Sequence, residues 1–553
     1  MPPTSDYVPA GEALSHRDRM YAFAGILLAL FLGALDQTIV ATALPRIVDS
    51  LQGLTRYAWV ATAYLLASTA MVPIYGKLAD IASRRLIELW AILLFLGGSM
   101  LCGLAGEFGP LPLVGDGMNQ LIVARAVQGI GGAGLFAMAF IVIADLFPPR
   151  ERGKYQGFVG ATFGIASVLG PLVGGLLADH GDALVPGIEG WRWVFYVNLP
   201  FGAVALWFVL RRMPPLLPPS RGRIDVAAAL LLLGGLVPFV LALQLDRRAY
   251  PWASPVTLGL LAGAAASLGL FVWRTRRAAD PLLDLGLFRL RIFSASAVAV
   301  FFYGAAFIGL IVFLPLFIVN VIGVSATQAG LALIPLSMGI VFGSTASGQL
   351  VSRFGRYKPF MVGGGLVIAV GMFLLSRMTV ATGMGEVTVY MVLCGLGVGP
   401  SLPLFTLAVQ NAVDVRKLGQ ATSLTQFFRQ IGGAVGAAAL GAILAVTLLT
   451  HLGPEALAAL AGRTTEGATA AAALSPAARE AFAAATRNMY SLAFGFVLVG
   501  WAATLFVPSI PLRKTFGPAA VDPAAVGPAA GRGTQTGSDE GQPAEGDVAV
   551  AAH

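Results

Sequence analysis

The sequence predicts an all-α membrane protein whose chain crosses the bilayer many times. Three observations lead there. Of its 553 residues 57% are apolar and only 12% charged, whereas soluble chains carry about 25% charge. The apolar residues fall in runs of about twenty, the length a helix needs to cross the hydrocarbon. The 68 glycines suit close helix approach in lipid, where small residues let backbones meet.

Fourteen runs qualify, and each has a local reason. The first, 21–44, follows a polar stretch ending near Arg19 and carries one acid, Asp36. The second, 58–78, and third, 86–106, are joined by a basic turn from Gly76 to Arg85. The fourth, 120–145, is apolar apart from Arg125 and Gln128, and Asp145 stands at its interfacial end. The fifth, 155–178, starts behind Arg150, Arg152 and Lys154 and is glycine-rich. The sixth, 193–212, stops at Arg211-Arg212. The seventh and eighth, 225–245 and 254–273, lie between a Pro/Arg-rich segment, 213–224, and a basic one, 274–291. The ninth, 293–319, holds Phe302, Tyr303 and Phe307. The tenth, 327–350, ends in a glycine–arginine turn, and 360–378 and 387–411 follow. The thirteenth, 419–448, contains Arg429, and 489–510 completes the set.

An even number of spans puts both termini on one side. That side gathers most of the 36 lysines and arginines, including Arg84, Arg85, Arg150, Arg274, Arg353 and Lys417. Basic loops face the cytoplasm, so both termini are expected there, in a prokaryotic cytoplasmic membrane. The net charge of +8 is thereby a topology signal, with no nucleic-acid partner implied. No cleavable signal peptide stands out, because the first apolar stretch is a full span. Cys102 and Cys394 lie inside apolar runs and read as packing residues. The four histidines are scattered, so no metal site or cofactor is expected. No HExxH, CxxC, GxSxG or Walker pattern appears, which leaves an enzyme without visible chemistry.

A repeat organises the chain. Gly76-Lys77-Leu78-Ala79-Asp80-Ile81-Ala82-Ser83-Arg84-Arg85 follows the second span, and Gly348-Gln349-Leu350-Val351-Ser352-Arg353-Phe354-Gly355-Arg356-Tyr357 follows the tenth. Two six-helix halves related in this way are a transporter design. The expected division is a segment 1–20, a bundle 21–212, a linker with two further helices 213–291, a bundle 292–510 and a disordered tail 511–553. Ser475-Pro476 in the long outer loop 449–488 reads as a helix start, expected to open a short surface helix.

Asp36 is the leading functional candidate. An acid deep in a span is costly unless it serves a proton or ion pathway; the plain alternative is an acid facing a wet vestibule. Arg125 must likewise be paired or hydrated, either beside Asp36 or on a neighbouring helix's carbonyls. Gln37 and Gln128 extend this polar surface. Arg429 either lines the pathway or snorkels to the headgroups. Phe302, Tyr303 and Phe307 are either an aromatic cavity wall or ordinary packing. No acid lies inside the tenth or thirteenth span, and Asp36 is read as the sole deep carboxylate.

These segments resemble the major facilitator superfamily. Gly76–Arg85 is similar to its loop signature, departing at Ile81 and Ser83. Arg125 in Ala124-Arg125-Ala126-Val127-Gln128-Gly129 resembles its fourth-helix motif. Gly164 to Gly175, with Gly170, Pro171 and Gly174, is similar to its fifth-helix antiporter motif. Leu35-Asp36-Gln37-Thr38-Ile39-Val40, Trp191–Gly202 and Pro281-Leu282-Leu283-Asp284-Leu285 resemble the fourteen-helix drug:proton antiporter branch, with Ala41 departing from it. The resemblance implies the major facilitator fold, with alternating access between two six-helix bundles and two extra central helices. It implies proton-coupled export of hydrophobic or cationic drugs by a monomer, with protons, lipid and a small-molecule substrate as partners. Asp36 and Arg125 would couple protons. Gly76, Asp80, Arg84, Arg85, Gly348 and Arg356 would latch one conformer, Asp80 through a basic group or a helix N-terminus. Gly164, Gly170, Pro171, Gly174 and Gly175 would form a surface where the halves slide or seal. With one deep acid, monovalent cations, neutral and zwitterionic compounds are expected over dications. The alternatives are a dedicated exporter of an endogenous metabolite, antibiotic, siderophore or lipid, and a receptor that moves nothing.

Overall fold

The computed structural model describes residues 10–53, 56–112, 114–183, 185, 187–216, 222–245, 247, 249–324, 326–463 and 475–515. Fourteen helical segments are long and apolar enough to span a membrane. They are α1 (His16–Leu51), α2 (Trp59–Ile81), α3 (Arg84–Gly103), α4 (Gly117–Leu146), α5 (Pro149–Ala178), α6 (Gly190–Arg211), α7 (Val226–Gln244), α8 (Pro255–Arg277), α9 (Arg291–Ile322), α10 (Gln328–Phe354), α11 (Lys358–Leu375), α12 (Met384–Ala412), α13 (Val415–Gly453) and α14 (Pro476–Leu505). In lipid every backbone N–H and C=O must be satisfied within the chain, and helices do this segment by segment.

Several helices outrun the apolar runs that announce them. α1 begins at Ser15, whose hydroxyl accepts the Asp18 N–H at 3.2 Å, and ends where Gln52 turns left-handed (φ 50°). Ser475 likewise caps α14, accepting from Ala478 N at 3.2 Å. The expected short surface helix is therefore the first turns of α14, which runs unbroken to Leu505. The tail from 516 on, with its expected disorder, lies outside the described residues.

α1–α6 form one bundle and α9–α14 the other. Each has its own apolar core, one centred on Phe95, Phe140 and Phe147, the other on Phe317, Met372 and Tyr490. α7 and α8 pair with one another and lie on the seam between α2 and α13, where Leu232, Leu236 and Phe271 pack with Ala70, Ile74 and Ala421. The bundles meet along two seams, α2 against α13 and α5 against α10. Glycine makes these seams possible. A Cβ on Gly76 would fall 1.8 Å from Ser423 Oγ, and one on Gly348 would fall 2.2 Å from the Gly153 carbonyl oxygen.

The face carrying the basic turns after α2 and α10, here the basic face, is closed. Asp80 at the end of α2 accepts the Gly419 and Gln420 N–H groups at 2.8 and 3.1 Å, at the start of α13. Arg150 donates to the carbonyls of Ser352 and Arg353. Gln156 donates to Gln410 at 2.9 Å, and higher up Thr69 donates to Gln430 at 3.0 Å. The segment after α8 joins this closure: Lys77 pairs with Asp280, and Lys417 with Asp284. Burial pushes the Asp284 carboxyl up, but Lys417 and the Gly286 N–H together hold it below its usual range.

Candidate functional site

Five helices contribute to the site around Asp36, which lies wholly buried on α1. Arg125 on α4 donates from Nη1 to Asp36 Oδ2 at 2.6 Å and to Gln128 Oε1 at 2.6 Å. Gln128, one turn on, returns Nε2 to Asp36 Oδ1 at 2.8 Å. Asn198 on α6 adds a third donor to Oδ1 at 3.1 Å and also bonds Ser99 on α3 at 2.9 Å. Arg125 further donates to the Val60 carbonyl at 3.3 Å and lies 4.4 Å from the ring centre of Tyr64. Cys102 donates weakly to Gln128 Oε1 at 3.6 Å. Arg125 thus pairs with the acid and also bonds a backbone carbonyl of a neighbouring helix.

An ion pair removed from water is tolerated when further bonds fill its remaining sites. Here both carboxylate oxygens and the guanidinium's Nε and Nη1 are so filled. Local sequence explains the placement. Gly98 brings α3 so close to α4 that a Cβ there would sit 2.5 Å from Gln128 N. This turns the α3 stripe Ala91, Phe95, Ser99 and Cys102 onto α4.

The other candidates separate into groups. Gln37, next to Asp36, is exposed within the span, and so is Ala41 one turn on. Phe302 lines an apolar cavity of about 200 Å³ with Phe301 and Phe428. Tyr303 does not line it. Its hydroxyl lies 3.3 Å from Thr504 Oγ1 and its ring packs near Phe405, inside the second bundle's core. The expected aromatic wall is thus divided, because successive residues on a helix face different ways. Phe307 is half-buried against the same core.

The closure residues divide likewise. Asp80 engages a helix N-terminus, whereas the fully buried Arg84 bonds Asp145 at 2.7 Å and the Ala79 carbonyl. Asp145, at the end of α4, is therefore buried in an ion pair. Arg85 donates to the Leu210 carbonyl on α6, and Arg356 is exposed. Along α5, a Cβ on Gly164 would lie 2.1 Å from Val341 of the other bundle, but Gly170 and Gly174 press on Thr38 and Thr42 of α1. Pro171 sits between them within the helix, and a Cβ on Gly175 would meet no neighbour. The motif therefore serves two contacts: its start meets the other bundle and its end meets the helix that carries Asp36.

Asn198, Ser99 and Tyr64 complete the site without having been singled out. Asn198 had a signal of its own, a lone amide between Val197 and Leu199. Glu88 is a further carboxylate that sequence reasoning left out, buried near a helix end rather than at the depth of Asp36. It is completely buried on the α3 stripe that faces α4, and neither carboxyl oxygen has a hydrogen-bond partner among the described residues. Its place in the second turn of α3 reads as a helix end, but packing turns it inward.

Two bundles meeting along glycine seams, the first with a charge pair buried inside it, define a solute carrier of the membrane. The chain belongs to the Major Facilitator Superfamily, whose family model matches residues 26–437. It is 38% identical to the multidrug transporter protein MdtP of Bacillus subtilis (strain 168), over 77% of this chain and 75% of that protein. It is also 38% identical to multidrug resistance protein 3 of the same organism, over 76% and 79%. Among solved structures, the proton:xylose symporter XylE superposes with a TM-score of 0.61 at 15% identity, covering 90% of this chain and 98% of that one. That likeness concerns the fold.

Proposed function

We propose that this protein is a proton-coupled antiporter that exports hydrophobic and cationic drugs across the cytoplasmic membrane by alternating access. The observation that carries the proposal is the Asp36 site. An acid at this depth with three donors from two other helices is a carboxylate whose bonds report helix positions. A proton on Asp36 removes the negative charge that holds the Arg125 guanidinium, so proton binding weakens this helix contact. The relatives' names, multidrug transporter and multidrug resistance protein, support the cargo class.

In this reading the basic face is cytoplasmic, both termini lie there, and the protein works as a monomer. The bundles are 21–212 and 292–510, and the linker 213–291 carries the extra pair. Closed at the basic face, the carrier takes a proton at Asp36 from the outer side. Release of the Asp80 clasp opens the cytoplasmic side, where substrate enters and the proton leaves inward. A charge crossing the membrane potential is worth about 2.3 kcal/mol per 100 mV, enough to drive uphill export.

The test is transport of a lipophilic cationic dye into or out of proteoliposomes under an imposed pH gradient, with internal pH read alongside. Dye flux with opposite proton movement, lost in Asp36→Asn, is the expected result. Coupled flux that survives the substitution removes Asp36 as the carrier; no gradient-driven flux in correctly inserted protein counts against drug efflux altogether.

A further inference from the structure

Arg429 is the mid-depth charge that the Asp36 site does not use. It lies ten residues beyond Gly419 on α13, about 15 Å along the helix from the closure at the basic face. Snorkelling lets an arginine near a helix end keep its head at the interface; this one starts too deep. Its direction is fixed by its neighbours. Gly419, Ser423 and Gln430 meet α2, while Gly432 and Gly436 meet the backbone of α9. Arg429 shares the remaining stripe with Thr422 and Gln426, which bond Gln410 and Thr406 of α12. That stripe faces the interior of the protein and not lipid.

The guanidinium there is half-buried and has no hydrogen-bond or ion-pair partner among the described residues. One turn below, Gln426 Oε1 is buried and also without a partner. A charge inside a span is retained when it is paired, hydrated or used, and Asp36 cannot neutralise this one because its own donors already fill it. The preceding residue, Phe428, turns away from that stripe onto an apolar cavity of about 200 Å³ that Arg429 does not line. Unfilled guanidinium donors facing the protein interior within a span fit a solute with an acidic head.

We propose that Arg429 is the recognition point for the carboxylate of lipophilic organic acids or zwitterions among the solutes this protein carries. The inference rests on the exporter reading for its setting and extends the cargo from cations to carboxylates. Arginine suits the role because its planar fork binds a carboxylate through two parallel bonds.

The test is fluorescence binding of an alkylated carboxycoumarin and its methyl ester to the full-length protein in detergent. Wild type is expected to bind the acid about tenfold more tightly than the ester, the scale of one charge-assisted bond. Arg429→Gln should abolish the preference while leaving ester affinity unchanged, and Arg429→Lys should keep part of it. Equal affinities in wild type, or equal losses of both probes in Arg429→Gln, would overturn the assignment. Phosphatidylglycerol that displaces the acid but not the ester would make the anion a lipid headgroup and overturn the solute assignment. A parallel flux assay with a cationic dye keeps the two readings apart. Absent flux counts against export, while the acid–ester preference alone decides Arg429.

Discussion

Replacing Asp36 by asparagine removes a charge and little else from the centre of the first bundle. The amide oxygen can still accept from Gln128 and Asn198, which lie 2.8 and 3.1 Å from Oδ1. What is lost is the counter-charge of Arg125, which is only 2% exposed. Breaking a buried pair from one side costs about 3–5 kcal/mol, because an uncompensated charge stays behind. Arg125 keeps its bonds to Gln128 and Val60 and its place over the Tyr64 ring, and a desolvated cation–π contact is worth about 2 kcal/mol. The expected cost therefore lies at the low end, about 3 kcal/mol. Arg125→Gln should cost a similar amount for the mirror-image reason, and the double variant should recover most of the loss. The assay is denaturant unfolding in detergent over the four-protein cycle, with flux measured on the same preparations. Stability should return in the double variant while proton coupling does not. Additive losses would refute the pairing argument, since the interaction energy would then be zero.

Three further outcomes follow from the same geometry. Gly348→Ala places a methyl group 2.2 Å from the Gly153 carbonyl and should force α5 and α10 apart, lengthening spin-label distances across the basic face; an unchanged distance distribution would contradict the closeness of that seam. Glu88→Leu exchanges a carboxyl buried without a hydrogen-bond partner for an apolar side chain and should stabilise the fold by about 1–3 kcal/mol, read as a higher Tm in detergent. The Asp284 carboxyl is held below its ordinary value by Lys417 and Gly286 despite opposing burial. Its contribution is therefore present above about pH 3.9 and fades as pH falls through the lower folded value. Thermal stability of wild type and Asp284→Asn should differ near neutrality and converge in strong acid, with no separate step between pH 5 and 8.

The spans and the two half-repeats are legible in the sequence because lipid leaves so few choices. A run of about twenty apolar residues in hydrocarbon can satisfy its backbone only as a helix, so length and composition locate all fourteen. Asp36 and Arg125 are legible for the same reason, as charges where charge is costly. Which way each side chain points is another matter. α4 is apolar nearly all round, and a helix without a polar face carries no mark of what it faces. Contact between Gly98 and Gln128 decides that α3 turns Ser99 and Glu88 inward. Packing of α6 brings Asn198 to an acid 162 positions earlier in the chain. Arg84 finds Asp145, and Asp80 finds the N-terminus of α13. Lipid attracts every apolar face equally, so only the close fit of small residues between helices selects among these arrangements, and that fit exists in the tertiary structure alone.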